Sequence, residues 1–150
     1  ISVSRVRIPS SPPSELLPLY GDAIAAYEDW RIVDPESSTP TMMIPVMKSE
    51  MALPLAKAGQ REEAIEAVKA QLEIDRRAFE ADPSRPINRE YVIFSLDNAI
   101  PVYDALNDIE QACGYASELI DLSNGYETAE QKTTNIVTMT ENAKTRLADY

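Results

Sequence analysis

The residues of this chain that could do chemistry are mainly carboxylates. Glu62 with Glu66, and Asp104 with Asp108, are spaced four residues apart, which places each pair on one face of a helix. Acid–base catalysis by such a pair needs two carboxylates held in different environments inside a cleft. These pairs lie in strongly polar stretches, so solvated helix faces are the favoured interpretation. We therefore predict no catalytic residue and no enzyme activity.

Histidine is absent, and Cys113 is the single cysteine. The chain thus lacks imidazole as a base or metal ligand, and it cannot form an intramolecular disulfide. Cys113 has no nearby basic residue that would lower its pKa, so a buried, unreactive thiol is favoured. We predict neither a cofactor nor a metal site.

Three methionines, Met43, Met47 and Met51, follow one another at helical spacing. Their flexible thioethers could form an adaptable protein-binding surface, or they could hold a soft metal such as copper(I). Filling of the core is favoured over both functions.

Composition indicates one soluble domain. The chain has 150 residues, of which 44% are hydrophobic and 26% charged, as in ordinary globular proteins. The 25 acidic residues against 14 basic ones give a net charge of -11, which repels phosphate backbones, so we expect no nucleic-acid partner. No apolar run is long enough to predict a transmembrane span. The start at Ile1 rather than Met is compatible with removal of a leader or with an internal start, so the localisation stays open between a cytoplasmic protein and one exported after removal of a leader.

Hydrophobic spacing predicts an all-α fold of about six antiparallel helices in residues 14–150, preceded by an extended tail over residues 1–13. Thr39 is predicted to cap the second helix, and Thr128 with Gln131 to form a capping box for the sixth. The helices are expected over Ser14–Val33, Thr39–Ala58, Arg61–Asp82, Ile87–Leu106, Ile109–Ser123, and from Thr128 to the end of the chain.

The middle of the chain contains two related helical hairpins. When the sequence is aligned with itself at one fixed separation, Gly59 aligns with Asn107 and Ala64 with Ala112. We call this separation, from position 59 to position 107, the repeat offset. Gly59 is expected to end its helix in the left-handed conformation. The two alanines are expected to be buried where paired helices cross, because a small side chain lets helices approach closely.

The segments "LAKAGQREEAIEAVKAQLEI" and "YDALNDIEQACGYASELIDL" resemble tetratricopeptide repeats. Both lack the Trp and Leu-Gly of the family's first helix, and the Asp82-Pro83 stop comes about two turns late. The resemblance implies a helical superhelix whose groove holds a peptide or protein, without catalysis. An irregular antiparallel bundle is the alternative.

These observations favour a protein–protein interaction module or structural subunit of a larger assembly. The alternative is a helical-bundle protein that binds a small apolar ligand. Candidate partner-binding residues are two methionines and an aromatic face for which core packing is favoured, together with residues of the tail: Met43, Met47, Tyr20, Tyr27, Trp30, Val3, Arg5, Val6, Arg7 and Ile8.

The tail differs from the rest of the chain because it carries Arg5 and Arg7 and no acidic residue. Its prolines favour an extended conformation, and extended segments bind along grooves or sheet edges. We expect the tail to dock on a neighbouring subunit or on the protein's own acidic surface, with the neighbour favoured.

Overall fold

The computed structural model describes residues 13–150, and this part of the chain forms six α-helices and one short 3-10 helix, without a strand. The all-α prediction is therefore confirmed. The helices are α1 (Pro13–Val33), α2 (Thr39–Lys57), α3 (Arg61–Ala81), α4 (Pro86–Ala105), α5 (Ile109–Asn124) and α6 (Thr134–Asp149).

Two predicted helix caps were wrong. Helix α2 begins at Thr39 itself, with Ser38 in the cap position and no side-chain hydrogen bond there. The capping box of Thr128 and Gln131 exists, but it starts the 3-10 helix Ala129–Gln131. Lys132 then adopts an extended conformation, so α6 starts afresh, and the Thr133 hydroxyl accepts a hydrogen bond of 3.3 Å from the Ile136 N–H.

The turn between α2 and α3 depends on a left-handed residue. Gly59 has a φ of 82°, as predicted, a conformation that costs glycine little because it has no Cβ. The Gln60 N–H donates to the Leu55 carbonyl at 2.9 Å, and the Gly59 N–H donates to the Ala56 carbonyl at 3.1 Å. These two bonds satisfy carbonyls that the helix end leaves without partners.

The turn between α4 and α5 repeats this geometry at the equivalent position of the next hairpin. Asn107 has a φ of 58°, and it is the single non-glycine residue with positive φ within residues 13–150. The Asp108 N–H donates to the Tyr103 carbonyl at 2.9 Å, and the Asn107 N–H donates to the Asp104 carbonyl at 3.0 Å. Because asparagine tolerates the left-handed region better than most residues, the same turn forms without glycine.

The two alanines that follow the turns are fully buried, as predicted. Ala64 and Ala112 both have 0% exposure. Each lies in the first turn of the second helix of its hairpin, next to the left-handed turn. The absence of a longer side chain lets the two helices of each hairpin pack closely there.

The repeat offset extends over all six helices. It relates α1 to α3 and α3 to α5, whose first residues are Pro13, Arg61 and Ile109. It also relates α2, α4 and α6: Ile44, Val92 and Thr140 occupy one equivalent position, and all three are buried. The six helices are therefore compatible with a helical repeat. In that repeat α1 has the place of a second helix, and no first helix of the same hairpin precedes it within the described residues.

The helices form two layers. Each helix packs against its neighbours in sequence, and in addition α2 packs on α4 and α4 on α6. The inner layer is thus α2, α4 and α6, while α1, α3 and α5 form the outer layer. Helix α4 lies at the centre, and its buried residues include Ile93, Leu96 and Ile100.

Ala112→Leu is expected to lower the free energy of unfolding by about 1–3 kcal/mol, because the added methyl groups overpack a closed helix crossing. Ala64→Leu should have the same effect at the equivalent crossing. Ala70→Leu, on the exposed face of α3, is the control and should change stability by about 0.5 kcal/mol or less. Denaturant unfolding measures all three, and an unchanged midpoint for Ala112→Leu would contradict close packing at this crossing.

Candidate interaction surface

Helix α1 is the least buried helix of the structure. From Glu15 to Val33 it has no buried residue, although it is rich in leucine, isoleucine, alanine and aromatic residues. Helices α3 and α5 each lie between two helices of the inner layer, whereas α1 packs substantially against α2 alone. One side of α1 therefore lacks a neighbour among the described residues.

The repeat offset identifies which residues of α1 are affected. Leu16, Tyr20 and Ile24 are equivalent to Ala64, Val68 and Leu72, the buried residues of α3. In α1 all three positions are only half-buried. Leu16 also replaces the small alanine, as expected for a helix that is not crossed closely by a hairpin partner.

Apolar side chains are exposed where α1 ends and α2 begins. Trp30, Ile32 and Val33 are 42%, 76% and 83% exposed, and Met42 in the first turn of α2 is 60% exposed. We call these four residues the open-end patch. Since α1 and α2 are joined by a short turn, the four side chains lie at the same end of the molecule.

The aromatic residues predicted as a core face flank this patch. Tyr27 stacks on Trp30, with ring centroids 6.2 Å apart and planes inclined by 16°. Tyr20 is half-buried, and burial raises its pKa, with a further contribution from the negative charge of Glu50. None of the three aromatic residues is buried, so the prediction of core packing was wrong, because no described helix covers that side of α1.

The methionine stripe lies at the margin of the core. Met51 packs against the core, whereas Met43 and Met47 are half-buried outside it, and Ile44 is the buried residue of that turn. Sequence spacing missed Met42, which is the most exposed methionine described. The sequence could have indicated Met42 by its position just after the turn that follows Ile32 and Val33.

The candidate residues of the tail, Val3, Arg5, Val6, Arg7 and Ile8, lie outside the described residues.

The equivalent end of the next repeat unit is covered. There the Arg89 guanidinium lies between the rings of Phe79 and Tyr126, 5.0 and 5.3 Å from their centroids. Tyr126 comes from the loop after α5 and donates a hydrogen bond of 3.4 Å to the Pro86 carbonyl. Burial raises the pKa of Tyr126 to about 12, with Glu90 adding to the rise and Arg89 opposing it. Among the described residues the open-end patch has no such cover, since the residue equivalent to Tyr126 is Ala78.

The predicted carboxylate pairs have structural partners or are exposed. Asp104 bonds to Arg146 and Tyr150, while the Asp108 side chain caps α5 by accepting from the Gln111 N–H at 3.2 Å. The prediction that these two aspartates share a helix face was wrong, because the chain turns between them.

The other pair, Glu62 and Glu66, is exposed on α3, as predicted for a solvated face. Within residues 13–150 no cluster of three metal-binding side chains is found.

A shallow depression of about 420 Å³ lies between α3 and α5. Its lining is mostly charged, and Arg76 crosses it to bind Glu118 at 2.7 Å. The lining residues are Lys69, Leu72, Glu73, Arg76, Arg77, Glu80 and Tyr115. This lining does not suit a small apolar ligand.

Comparisons with protein-family models, with curated proteins and with solved structures found no match to this chain. No helix in residues 13–150 has the length and apolar character needed to cross a membrane.

A polar cluster that the sequence did not indicate lies between α3 and α4. Asp75 accepts hydrogen bonds from the Ser95 hydroxyl and from the Gln71 amide nitrogen, the latter at 3.1 Å. Burial raises the pKa of Asp75, and these two hydrogen bonds oppose the rise. The Gln71 side-chain oxygen is buried and has no hydrogen-bond partner among the described residues.

The free energy of unfolding of the Asp75→Asn variant is expected to increase relative to that of the unchanged protein as pH rises. The folded state binds the Asp75 proton more tightly than the unfolded state, so the free energy of unfolding falls as pH rises from the ordinary value of 3.8 through the raised pKa. Asparagine removes that loss and can donate to the Gln71 oxygen. Denaturant unfolding from acid to neutral pH measures the difference.

Asp121→Asn removes the same charge at an exposed position of α5 and supplies the baseline. A difference between Asp75→Asn and this baseline that stays constant with pH would contradict the raised pKa.

Proposed function

We propose that this protein is a non-enzymatic protein–protein interaction module whose contact surface is the uncovered side of α1 together with the open-end patch. One observation carries the proposal: the α1 residues at positions equivalent to the buried residues of α3 are only half-buried. Burying apolar surface contributes about 25 cal/mol per Å², so a helix that covered this side would bind favourably.

The partner we propose is a helix with an apolar face flanked by lysine or arginine. A helix fits because α3 and α5 are covered at the equivalent positions by helices of the inner layer. Basic flanks fit because α1 carries Glu15, Asp22, Glu28 and Asp29 against a single Arg31, which pairs with Glu28 at 2.6 Å. Charge complementarity of this kind speeds association and selects partners.

Trp30 is the residue we expect to anchor the contact. Tryptophan is enriched among the residues that dominate binding energy, and stacking on Tyr27 restricts the rotation of its ring. The resemblance to tetratricopeptide repeats supports the same class of function. The repeat offset, from Gly59 to Asn107, is longer than the roughly 34 residues usual in that family, so we propose a related arrangement with longer helices.

The proposal predicts that a protein partner retained by the unchanged chain is lost on Trp30→Glu or Val33→Glu, because a charge then has to be buried at the contact. Trp30→Ala should weaken binding by about 2 kcal/mol or more, roughly 30-fold. Co-purification with intact partners, followed by titration of the purified pair, measures both effects. Increasing ionic strength should also slow association.

Val137→Glu is the matched control, since Val137 is a 49% exposed valine on α6, away from α1. A photo-crosslinking residue at Ile32 should react with the partner, and the same residue at position 137 should not. Equal loss of binding on Val33→Glu and Val137→Glu would refute the surface. A chain that retains small apolar molecules but no protein would favour the alternative, a ligand-binding helical bundle.

A further inference from the structure

The helix that would complete the hairpin of α1 has a defined place in the repeat. Helix α3 lies between α2, its hairpin partner, and α4. The repeat offset relates α1 and α2 to α3 and α4, so the place that corresponds to α2 is filled by no described helix. Consecutive inner helices run parallel, because one antiparallel outer helix connects each to the next. A helix in this place would therefore run parallel to α2 and antiparallel to α1, and it would contact both.

The methionine stripe lies on the side of α2 next to this place. Met47 is equivalent to Ser95 of α4 and to Ala143 of α6, both of which are buried. The Ser95 hydroxyl donates a hydrogen bond to a carboxylate of α3, so the equivalent side of α2 faces α1 and the place beside it. Met47 is only half-buried, and so is Met43, whereas the equivalent Met139 of α6 is buried. The flexible methionine side chains can therefore adapt to a covering helix.

Leu16 determines what the covering helix must carry. It is equivalent to Ala64, whose small side chain lets α2 pack closely against α3. Because leucine leaves less room, a covering helix can approach as closely only if its own residue opposite Leu16 is small. Leu16 lies in the first turn of α1, and the covering helix runs antiparallel to α1. The small residue must therefore lie near the C-terminal end of the covering helix.

We propose that the partner of α1 supplies an inner-layer helix, parallel to α2, with glycine, alanine or serine near its C-terminal end, opposite Leu16. The apolar face of this helix contacts Tyr20 and Ile24 of α1 and Met43 and Met47 of α2. Its basic flanks match the acidic side chains of α1. This inference rests on the proposed contact at α1, and it adds the direction of the partner helix and the residue that selects it.

A synthetic peptide tests the direction with the full-length protein. The peptide has the length of α2, 19 residues, with leucines along one side, lysines beside them and alanine in its last turn but one. A covalent link between two residues of the opposite side holds it helical. A spin label at its N-terminus should broaden the amide signals of residues 30–33 and 39–43, and a label at its C-terminus those of residues 15–18 and 53–57. A peptide of the same composition in scrambled order is the control and should not bind.

Exchange of the small residue tests the role of Leu16. Replacing the alanine of the peptide by leucine should weaken binding by about tenfold or more, because two large side chains then meet. In the Leu16→Ala variant, the leucine peptide should bind more tightly than the alanine peptide. Leu19 is a 62% exposed leucine of the same helix, and Leu19→Ala should leave the preference for the alanine peptide unchanged.

The outcomes separate this inference from the proposed contact. Peptide binding that Trp30→Glu abolishes, but that has the opposite direction or keeps its alanine preference in Leu16→Ala, would overturn the inference alone. Absence of peptide binding would also overturn it alone, because the co-purified partner tests the contact separately. Binding confined to another helix would count against both. Dimerisation of the free protein that Trp30→Glu abolishes, measured by sedimentation, would place a second copy on α1 and overturn the inference.

Discussion

The close crossing of the two helices in each hairpin is the contact on which the rest of the structure depends. It requires a residue without a long side chain, supplied by Ala64 and Ala112, directly after a left-handed turn at Gly59 or Asn107. Because the helices pack closely at these crossings, α3 and α5 each lie between two inner helices. The Arg61 guanidinium links the two turns by donating to the Leu106 carbonyl at 3.1 Å.

This arrangement determines which surfaces remain accessible. A second helix placed between two inner helices buries its apolar face, as α3 does with Val68 and Leu72. Helix α1 has one inner neighbour, so the equivalent residues Tyr20 and Ile24 stay half-buried. Among the described helices, the inner layer is likewise covered by the outer helices on one side. The proposed contact at α1 follows from the order of the helices and requires no special local conformation.

The sequence predicted the parts of the fold that depend on local chemistry. Helical spacing located six helices, Gly59 marked a left-handed turn, and the repeat offset paired Ala64 with Ala112. Local chemistry did not distinguish a true helix start from a capped turn at Thr128. There, the extended backbone of Lys132 separates the 3-10 helix from α6.

The candidate surface could be predicted only in part, because exposure depends on which helices are neighbours. Tyr27 and Trp30 have the spacing of a core face, and they stay outside the core because no described helix covers that side of α1. The repeat offset applied to α1 would have placed Leu16 on Ala64 and indicated that this helix differs from α3. Asp75 was not identified, since its partner Ser95 lies on another helix and only the packing of α3 on α4 joins them.

The most direct test of this account is native-state hydrogen exchange, compared between α1 and α3 residue by residue. The offset supplies matched amides, from Leu17 with Ile65 to Tyr27 with Asp75, in helices of equal length, 21 residues each. The account predicts that α1 amides exchange through a local opening whose free energy is lower than that of the opening of α3. Binding of a partner should raise the protection of the α1 amides. Equal protection of α1 and α3 in the free protein would contradict the claim that one side of α1 lacks a neighbour among the described helices.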